Sequence, residues 1–202
     1  MINICHASQQ SLRSNKGFTL LEIMVVLTII SLMLGMATLS TGGNEQRYEA
    51  QQQALRLIAL LDAYRDESVF QNLDLGLAMD RQSTQLLSYV DINNPSQVTD
   101  KTREELADLK KNPWIAYSGN LRDSSELPEQ LSFFLMLEDK NIDFNELITD
   151  EGDYKPAVWF LSSDEYTPFK LTIQHKDDES FNIFIEGDGF SRFEMTTEQY
   201  DE

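Results

Sequence analysis

The feature that most constrains this chain is a nearly unbroken apolar run close to its N-terminus, from Phe18 to Leu39. As a helix, these 22 residues would be about 33 Å long, which is enough to cross a bilayer. One carboxylate, Glu22, lies near the start of the run. An ionised carboxylate in hydrocarbon costs about 2.5–3.5 kcal/mol at a helix centre and less near an end. Glu22 therefore predicts either a hydrated position at the membrane edge or a specific task.

Three interpretations fit this run. In the first, it is a plain membrane anchor, and Glu22 lies close enough to the headgroups to stay hydrated. In the second, it is a cleaved secretory signal, because basic residues precede it and Gly35-Met36-Ala37 offers small residues to a signal peptidase, although a charge inside the apolar segment argues against this. In the third, the chain is cut between Gly17 and Phe18, the run is kept, and Glu22 lies four residues from a new amine.

The stretch Gly17-Phe18-Thr19-Leu20-Leu21-Glu22 follows a short basic leader. It resembles the processing site of type IV pilins and of type II secretion pseudopilins. The shared features are a glycine before the cut, a phenylalanine after it, a glutamate at the fifth mature position and an uninterrupted apolar run. The resemblance implies that a prepilin peptidase on the cytoplasmic side cleaves between Gly17 and Phe18 and methylates the amine of Phe18. It also implies that Glu22 serves assembly with neighbouring subunits.

These observations divide the chain into four parts. Residues 1–17 are a cleaved basic leader, 18–41 a transmembrane helix, 42–72 a periplasmic amphipathic helix continuing from the span, and 73–202 a globular β-rich domain. Basic residues precede the span and the next one after it is Arg47, so the positive-inside rule predicts a single pass through the inner membrane with the C-terminal domain in the periplasm. Gly42-Gly43-Asn44 is expected to interrupt the helix at its exit from the membrane.

The mature chain is expected to be strongly acidic and free of cysteine. The leader contains Arg13 and Lys16 but no acid, so its loss takes the formal net charge from −18 to −20. With no basic cluster to neutralise phosphates, nucleic acid is not expected as a partner. The single cysteine, Cys5, lies in the leader, and the processed chain can form no disulfide. Many major pilins staple a C-terminal loop with a disulfide, so this departure favours a pseudopilin.

The helical pattern after the span places small and apolar residues on one face in alternating steps of four and three. We expect this stripe to pack on the chain's own globular domain rather than to serve only as a partner surface. Its members are Ala50, Ala54, Leu57, Leu61, Tyr64 and Ser68.

Beyond Gln71, short β-like segments alternate with polar connections, which predicts antiparallel strands. Thr102 to Lys111 is expected to be a polar helical insert. Glu186-Gly187-Asp188-Gly189 has the residues of a tight turn and predicts a final hairpin between Ile185 and Phe190. The expected strands are Leu75–Met79, Gln85–Val90, Leu131–Leu137, Ala157–Leu161, Phe169–Gln174, Phe181–Ile185 and Phe190–Met195.

Three downstream segments, 156–165, 167–171 and 187–192, resemble the minor pseudopilin H family of type II secretion systems, in the same order along the chain. The resemblance implies an α+β fold with a long N-terminal helix and an antiparallel β-sandwich. It implies a subunit of the tip of a periplasmic pseudopilus that helps export folded proteins. The implied partners are minor pseudopilins I, J and K, the major pseudopilin G, the prepilin peptidase and inner-membrane lipid. The family usually has glycine where Asp164 stands, so that turn is expected to differ.

Catalysis finds little support in the sequence. His6 is lost with the leader and His175 is solitary, so no Ser-His-Asp or Cys-His arrangement can form. The chain is therefore expected to be neither an enzyme nor a cofactor carrier. Two other functions stay open at this point: a minor pilin of a type IV pilus, and a membrane-anchored periplasmic binding protein with an uncut Gly17–Phe18 bond.

One acidic stretch has the spacing of a calcium loop, with five possible ligands in order. Phe144 occupies the sixth place, where such a loop needs glycine to make its sharp turn. We therefore expect a solvated loop and no metal site. The five residues are Asp139, Asn141, Asp143, Asn145 and Asp150.

The first prediction concerns processing. Intact mass and N-terminal sequencing of the protein purified from its host should show a chain that starts at N-methyl-Phe18. A chain starting at Thr38 would support signal peptidase instead, and a chain retaining Cys5 would support the uncut anchor. The change Gly17→Leu should leave the precursor unprocessed, because the peptidase needs a small residue before the cut.

Overall fold

The computed structural model describes residues 19–147 and 155–200, with the backbone alone for residues 35–44. Gly17 and Phe18 lie outside the described residues, as does Asp150. The chain divides into two compact units, and the division falls between Gly42 and Gly43.

The first element is helix α1, Leu20–Gln71, which has 52 residues. It continues through Gly42 and Gly43, so the expected interruption of the helix there is wrong. A glycine costs only about 1 kcal/mol in a helix interior, and long helical stretches on both sides outweigh that cost. The helix ends at Asn72, which has a left-handed φ of 52°. The N–H of Leu73 donates to the carbonyl oxygen of Ser68 at 3.0 Å, the bond that closes a Schellman cap.

Two short α-helices, one 3-10 helix and ten strands follow α1 in the described residues. The elements are β1 Leu75–Met79, β2 Ser83–Tyr89, α2 Pro95–Val98, α3 Arg103–Lys111, β3 Trp114–Ala116, β4 Ser124–Glu126, β5 Leu131–Leu137, β6 Lys140–Asn141, the 3-10 helix Phe144–Leu147, β7 Val158–Phe160, β8 Phe169–His175, β9 Phe181–Gly187 and β10 Glu194–Gln199. The strands form two antiparallel sheets. In the first sheet the order is β3-β2-β1-β7, and β4 also pairs with β2; in the second it is β10-β9-β8-β5-β6.

The architecture is thus α+β, an N-terminal helix followed by antiparallel sheets, as the sequence predicted. Six of the seven expected strands coincide with observed strands to within two residues at each end. The seventh is wrong: β10 begins at Glu194 rather than at Phe190, because the turn after β9 is longer than a tight hairpin. The polar insert is confirmed as α3, and Thr102 caps it by accepting a hydrogen bond from the N–H of Glu105.

The predicted stripe of α1 is buried. All six of its residues are at most 2% exposed, and its five hydrophobic members belong to one hydrophobic cluster with residues of both sheets. The hydroxyl of Tyr64 donates to the main-chain oxygen of Arg122 at 2.7 Å. Burial raises the pKa of Tyr64 to about 12, so this phenol stays neutral and keeps its donor. The intramolecular interpretation of the stripe is therefore confirmed.

Both tryptophans of the chain lie on the first sheet. The ring centroids of Trp114 and Trp159 are 5.2 Å apart, although their strands are separated by β2 and β1. Gly76 of β1 makes this contact possible. A Cβ atom at that position would come within 2.7 Å of the Trp114 ring and 2.5 Å of Pro156, so only glycine leaves room for the indole.

The second prediction tests the buried stripe in a fragment comprising residues 45–202. Leu57→Asp and Leu61→Asp should each lower the free energy of unfolding by about 3–5 kcal/mol, because each change removes a buried leucine and introduces an unpaired charge. Leu55→Asp is the matched control, since Leu55 is 48% exposed, and it should change stability by less than about 0.5 kcal/mol. Urea denaturation measures all three, and equal effects at the three positions would contradict the packing.

Candidate assembly site

The described part of the predicted processing region begins at Thr19, which caps the N-terminus of α1. The N–H of Glu22 lies 3.1 Å from the main-chain oxygen of Thr19 and 3.3 Å from its hydroxyl oxygen. Thr19 thus occupies the N-cap position and Glu22 the N3 position of α1. The two residue types match the signature of a capping box, Ser or Thr followed three residues later by Glu or Gln, and the bond from the Glu22 N–H to the Thr19 hydroxyl is the half of that motif that the structure shows. This capping role was missed, although the Thr-x-x-Glu spacing was visible in the sequence.

Glu22 lies in the first turn of α1, and its side chain is exposed. A negative charge in the first turn of a helix interacts favourably with the helix dipole, typically by about 0.3–1 kcal/mol. Glu22 therefore has a local stabilising role that is independent of any partner. A second role, in assembly, has to be separated from this one by experiment.

The helix that follows Glu22 exposes apolar side chains on every face. Leu20 is 79% exposed and Met33 68% exposed, and the large hydrophobic residues between them are all at least 46% exposed. A stretch of exposed apolar surface on this scale marks a membrane or protein contact. Among the described residues, none of the helices combines the length and the apolarity that a membrane crossing requires.

Arg65 attaches α1 to two turns of the globular part, which we call the head and which comprises residues 75–199. Its Nε atom lies 2.7 Å from Oδ1 of Asp164, while Nη1 and Nη2 donate to the main-chain oxygens of Ser191 and Phe190 at 2.9 and 2.6 Å. The guanidinium carbon also lies 5.3 Å from the centre of the Tyr166 ring. One side chain thus holds α1, the turn after β7 and the turn after β9 together.

Asp164 occupies the position at which the sequence resemblance led us to expect glycine. Its φ is 73°, a left-handed value that favours glycine. The carboxylate gains a partner in Arg65, and the main-chain oxygen of Asp164 also accepts from Arg65 Nε at 3.2 Å. The backbone at Asp164 therefore keeps the conformation that glycine favours. The turn differs from one with glycine only by the Asp164 side chain and its bond to Arg65.

Asp188 organises the turn after β9. Its carboxylate accepts hydrogen bonds from the N–H groups of Phe190 and Ser191 at 2.9 and 2.7 Å and from the Ser191 hydroxyl at 2.8 Å. These bonds hold the pKa of Asp188 well below its usual range. They extend the turn and bring Phe193, 7% exposed, into the hydrophobic cluster, so β10 starts after it.

The acidic stretch with calcium-loop spacing was expected to be a solvated loop, and its described residues are spread over a turn, a strand and the segment that follows. Asp139 has a φ of 62° and lies in the turn between β5 and β6, Asn141 belongs to β6, and Asp143 accepts a hydrogen bond from the N–H of Asn145. In the segments 19–147 and 155–200, no group of three His, Cys, Asp or Glu side chains is arranged to hold a metal ion. His175 is 7% exposed, and its Nδ1 accepts from the N–H of Asp177.

The N-terminus of this chain matches a family model described as a prokaryotic N-terminal methylation motif, over residues 12–38. That range contains Gly17, Phe18 and Glu22. A methylation motif joined to a long helix, with antiparallel sheets packed on the helix, defines a pilin-like protein.

Relatives define the family more narrowly. The type II secretion system protein H of Pseudomonas aeruginosa is 31% identical over 183 residues, which are 89% of this chain and 94% of the relative. The protein of the same name from Aeromonas hydrophila is 24% identical over 193 residues, 92% and 96% of the two chains. The crystal structure of the minor pseudopilin EpsH from the type II secretion system of Vibrio cholerae shares the fold at 20% identity, with a TM-score of 0.50 over 73% of this chain and 92% of that one. The chain belongs to the type II secretion system protein H family.

The third prediction concerns the Arg65 attachment. Arg65→Ala should lower the free energy of unfolding by about 2–4 kcal/mol, because it removes several charge-assisted hydrogen bonds from a side chain that is 13% exposed. Arg65→Lys should recover only part of this loss, since an ammonium group lacks the planar fork of the guanidinium.

Asp164→Gly is the matched control. It removes an exposed ion pair but relieves the left-handed backbone, so stability should stay within about 1 kcal/mol of the original. Thermal and urea unfolding of residues 45–202 measure these effects. A loss for Asp164→Gly as large as that for Arg65→Ala would show that the ion pair, rather than the bonds to main-chain oxygens, makes the attachment.

Proposed function

We propose that this chain works as a minor pseudopilin, anchored in the inner membrane by residues 18–41 and assembled into the tip of a periplasmic pseudopilus that helps export folded proteins across the outer membrane. The observation that carries this proposal is Glu22 in the first turn of a long helix, whose exposed apolar surface follows it and whose buried stripe lies in the core of the head. Such a helix joins a folded head to an apolar segment that is suited to contact with lipid and with other helices. Family membership supports the same function.

The role is one of assembly, and we propose that the chain is not an enzyme. Its partners would be minor pseudopilins I, J and K and the major pseudopilin G. A prepilin peptidase would cut between Gly17 and Phe18 and methylate Phe18. The two sheets, with the α1 stripe in their common cluster, are consistent with the β-sandwich expected of this family. Nucleic acid is not proposed as a partner, because the chain has 34 acidic and 16 basic residues.

Two tasks can be assigned to Glu22, and they differ in whether they need its negative charge. After cleavage, its carboxylate would lie one helical turn from the amine of Phe18, close enough to pair with it within a chain or between adjacent subunits. Methylation leaves the amine basic, so the opposite charges persist near the edge of the bilayer, where their attraction is stronger than in water. The other task is local, at the N3 position of α1, where a neutral glutamine also fits the capping-box signature with Thr19.

The fourth prediction uses this difference. Glu22→Gln keeps a capping side chain but loses the charge, so it should be inserted and cut normally yet assemble poorly. Glu22→Val should behave in the same way, because the span becomes more apolar while the carboxylate is lost. Glu22→Asp should retain partial function, since the charge remains and its reach shortens.

The measurement is crosslinking to the other pseudopilins, together with a secretion assay, both normalised to the amount of processed chain in the same cells. Thr19→Ala is the control that weakens the cap and keeps the carboxylate, and it should assemble better than Glu22→Gln. If Glu22→Gln and Glu22→Val secrete normally, Glu22 is only a hydrated first-turn residue and the charge pairing is wrong.

A further inference from the structure

An open groove of about 540 Å³ lies between α1 and the β4 segment of the first sheet. We call it the arginine groove and define it by Gln53, Arg56, Leu60, Arg122, Ser125 and Leu127. One wall is a face of α1 next to the buried stripe, and the other is β4 with the residues that flank it. The groove therefore lies between a long helix and a short paired strand with its flanking residues.

The two arginines of the groove have free capacity for a ligand. Arg56 is exposed and forms no hydrogen bond or ion pair with any residue in the described part of the chain. Arg122 is held at one point, because its Nε donates to the main-chain oxygen of Ser124 at 2.8 Å. Its own main-chain oxygen accepts the Tyr64 hydroxyl, which fixes the backbone beneath it. Glu126 also lines the groove, so the local balance is two cations to one anion.

This local balance is the reverse of the protein's overall charge. The chain carries 34 acidic and 16 basic residues, so an acidic partner is repelled by most of its surface. Like charges placed against each other across an interface suppress wrong contacts, whereas a complementary patch selects one orientation. Guanidinium groups bind carboxylates in bidentate geometry, which adds direction to the attraction. The charge pattern thus favours an anionic occupant for this groove.

The shape of the groove favours an extended chain. Leu60 and Leu127 offer apolar contact between the two arginines and the strand. β4 pairs only with β2 among the described strands, so its second edge has main-chain groups without a strand partner, and such an edge can receive an added strand. A protein segment that alternates carboxylates with apolar residues could make all three contacts. Its carboxylates would pair with the arginines, its apolar side chains would pack on the leucines, and its main chain would hydrogen-bond to the free edge of β4.

We propose that the arginine groove binds an acidic, extended segment of a neighbouring pseudopilin, with Arg56 and Arg122 pairing with its carboxylates. This inference rests on the proposed function and adds the surface and the chemistry of one partner contact. Arg56 is the free charge that sets specificity, and Arg122 is the one that the fold holds in place.

The fifth prediction tests this contact in the full chain in its host cells. A photocrosslinking amino acid at Ala59, which lines the groove, should give an adduct that maps by mass spectrometry to an acidic stretch of another pseudopilin. Arg56→Glu should lower the yield of this adduct about tenfold, because like charges then face each other. Folding should be preserved, since Arg56 is exposed and the change breaks no hydrogen bond or ion pair with a described residue.

Arg103→Glu is the matched control. It makes the same charge change at an exposed position on α3 and should leave the Ala59 adduct unchanged. In the Arg56→Glu background, changing an acid of the mapped segment to arginine should restore the yield. Restoration by that exchange would establish the pairing.

Two kinds of failure are distinguishable. If deletion of the chain abolishes secretion but the Ala59 adduct maps to a surface without acids, or if Arg56→Glu leaves its yield unchanged, the groove contact is wrong and the proposed function stands. If deletion leaves secretion intact and no position crosslinks to a pseudopilin, the proposed function is wrong and the groove inference is lost with it.

Discussion

The burial of one face of α1 against both sheets is the contact on which the rest of the head depends. The face begins with Ala50 and Ala54, which are fully buried and too small to hold neighbouring strands away from the helix axis. It continues with leucines and with Tyr64, whose hydroxyl donates to a main-chain oxygen, and it ends at Ser68. Because the hydrophobic cluster includes this face together with strands of both sheets, the head has no complete core without the helix. The chain has a single cysteine, Cys5, so no disulfide within the chain supports this core.

The regular parts of this structure were predictable because they repeat. The α1 stripe was identified residue by residue from its steps of four and three, and β8 and β9 from apolar residues at every second position, which are buried in the structure. β4 and β6 were missed because they are polar and only three and two residues long, too short to show a period. β3 was missed as well, although its length equals that of β7. The start of β10 was misplaced because Asp188 accepts bonds from residues two and three positions onward. That cap lengthens a turn whose glycines alone suggested a tight one.

The candidate sites differ in the same way: a site made of neighbouring residues can be read from the sequence, whereas a site made of distant residues cannot. Glu22 could be proposed from the sequence because its motif is local, and the residues on which the motif depends are consecutive. Arg65 and Arg56 belong to the same helix, but their roles depend on which distant turns or strands lie opposite. Arg65 meets residues about 100 and 126 positions away, and no spacing within the sequence encodes such a contact. The sequence contained one signal for the Arg65 contact, the presence of Asp164 where glycine was expected. That signal indicated an unusual turn but not that Arg65 would pair with it.

The contact between Trp114 and Trp159 across Gly76 has a spectroscopic consequence. Both indoles of the chain lie on one sheet, so intrinsic tryptophan emission reports on that sheet and is silent about the other. Two indole rings 5.2 Å apart and tilted by 60° also couple their electronic transitions, which adds an aromatic band to the far-ultraviolet circular dichroism. Helix and strand contents calculated from such a spectrum would be distorted, whereas loss of the coupled band on denaturation would follow the first sheet alone.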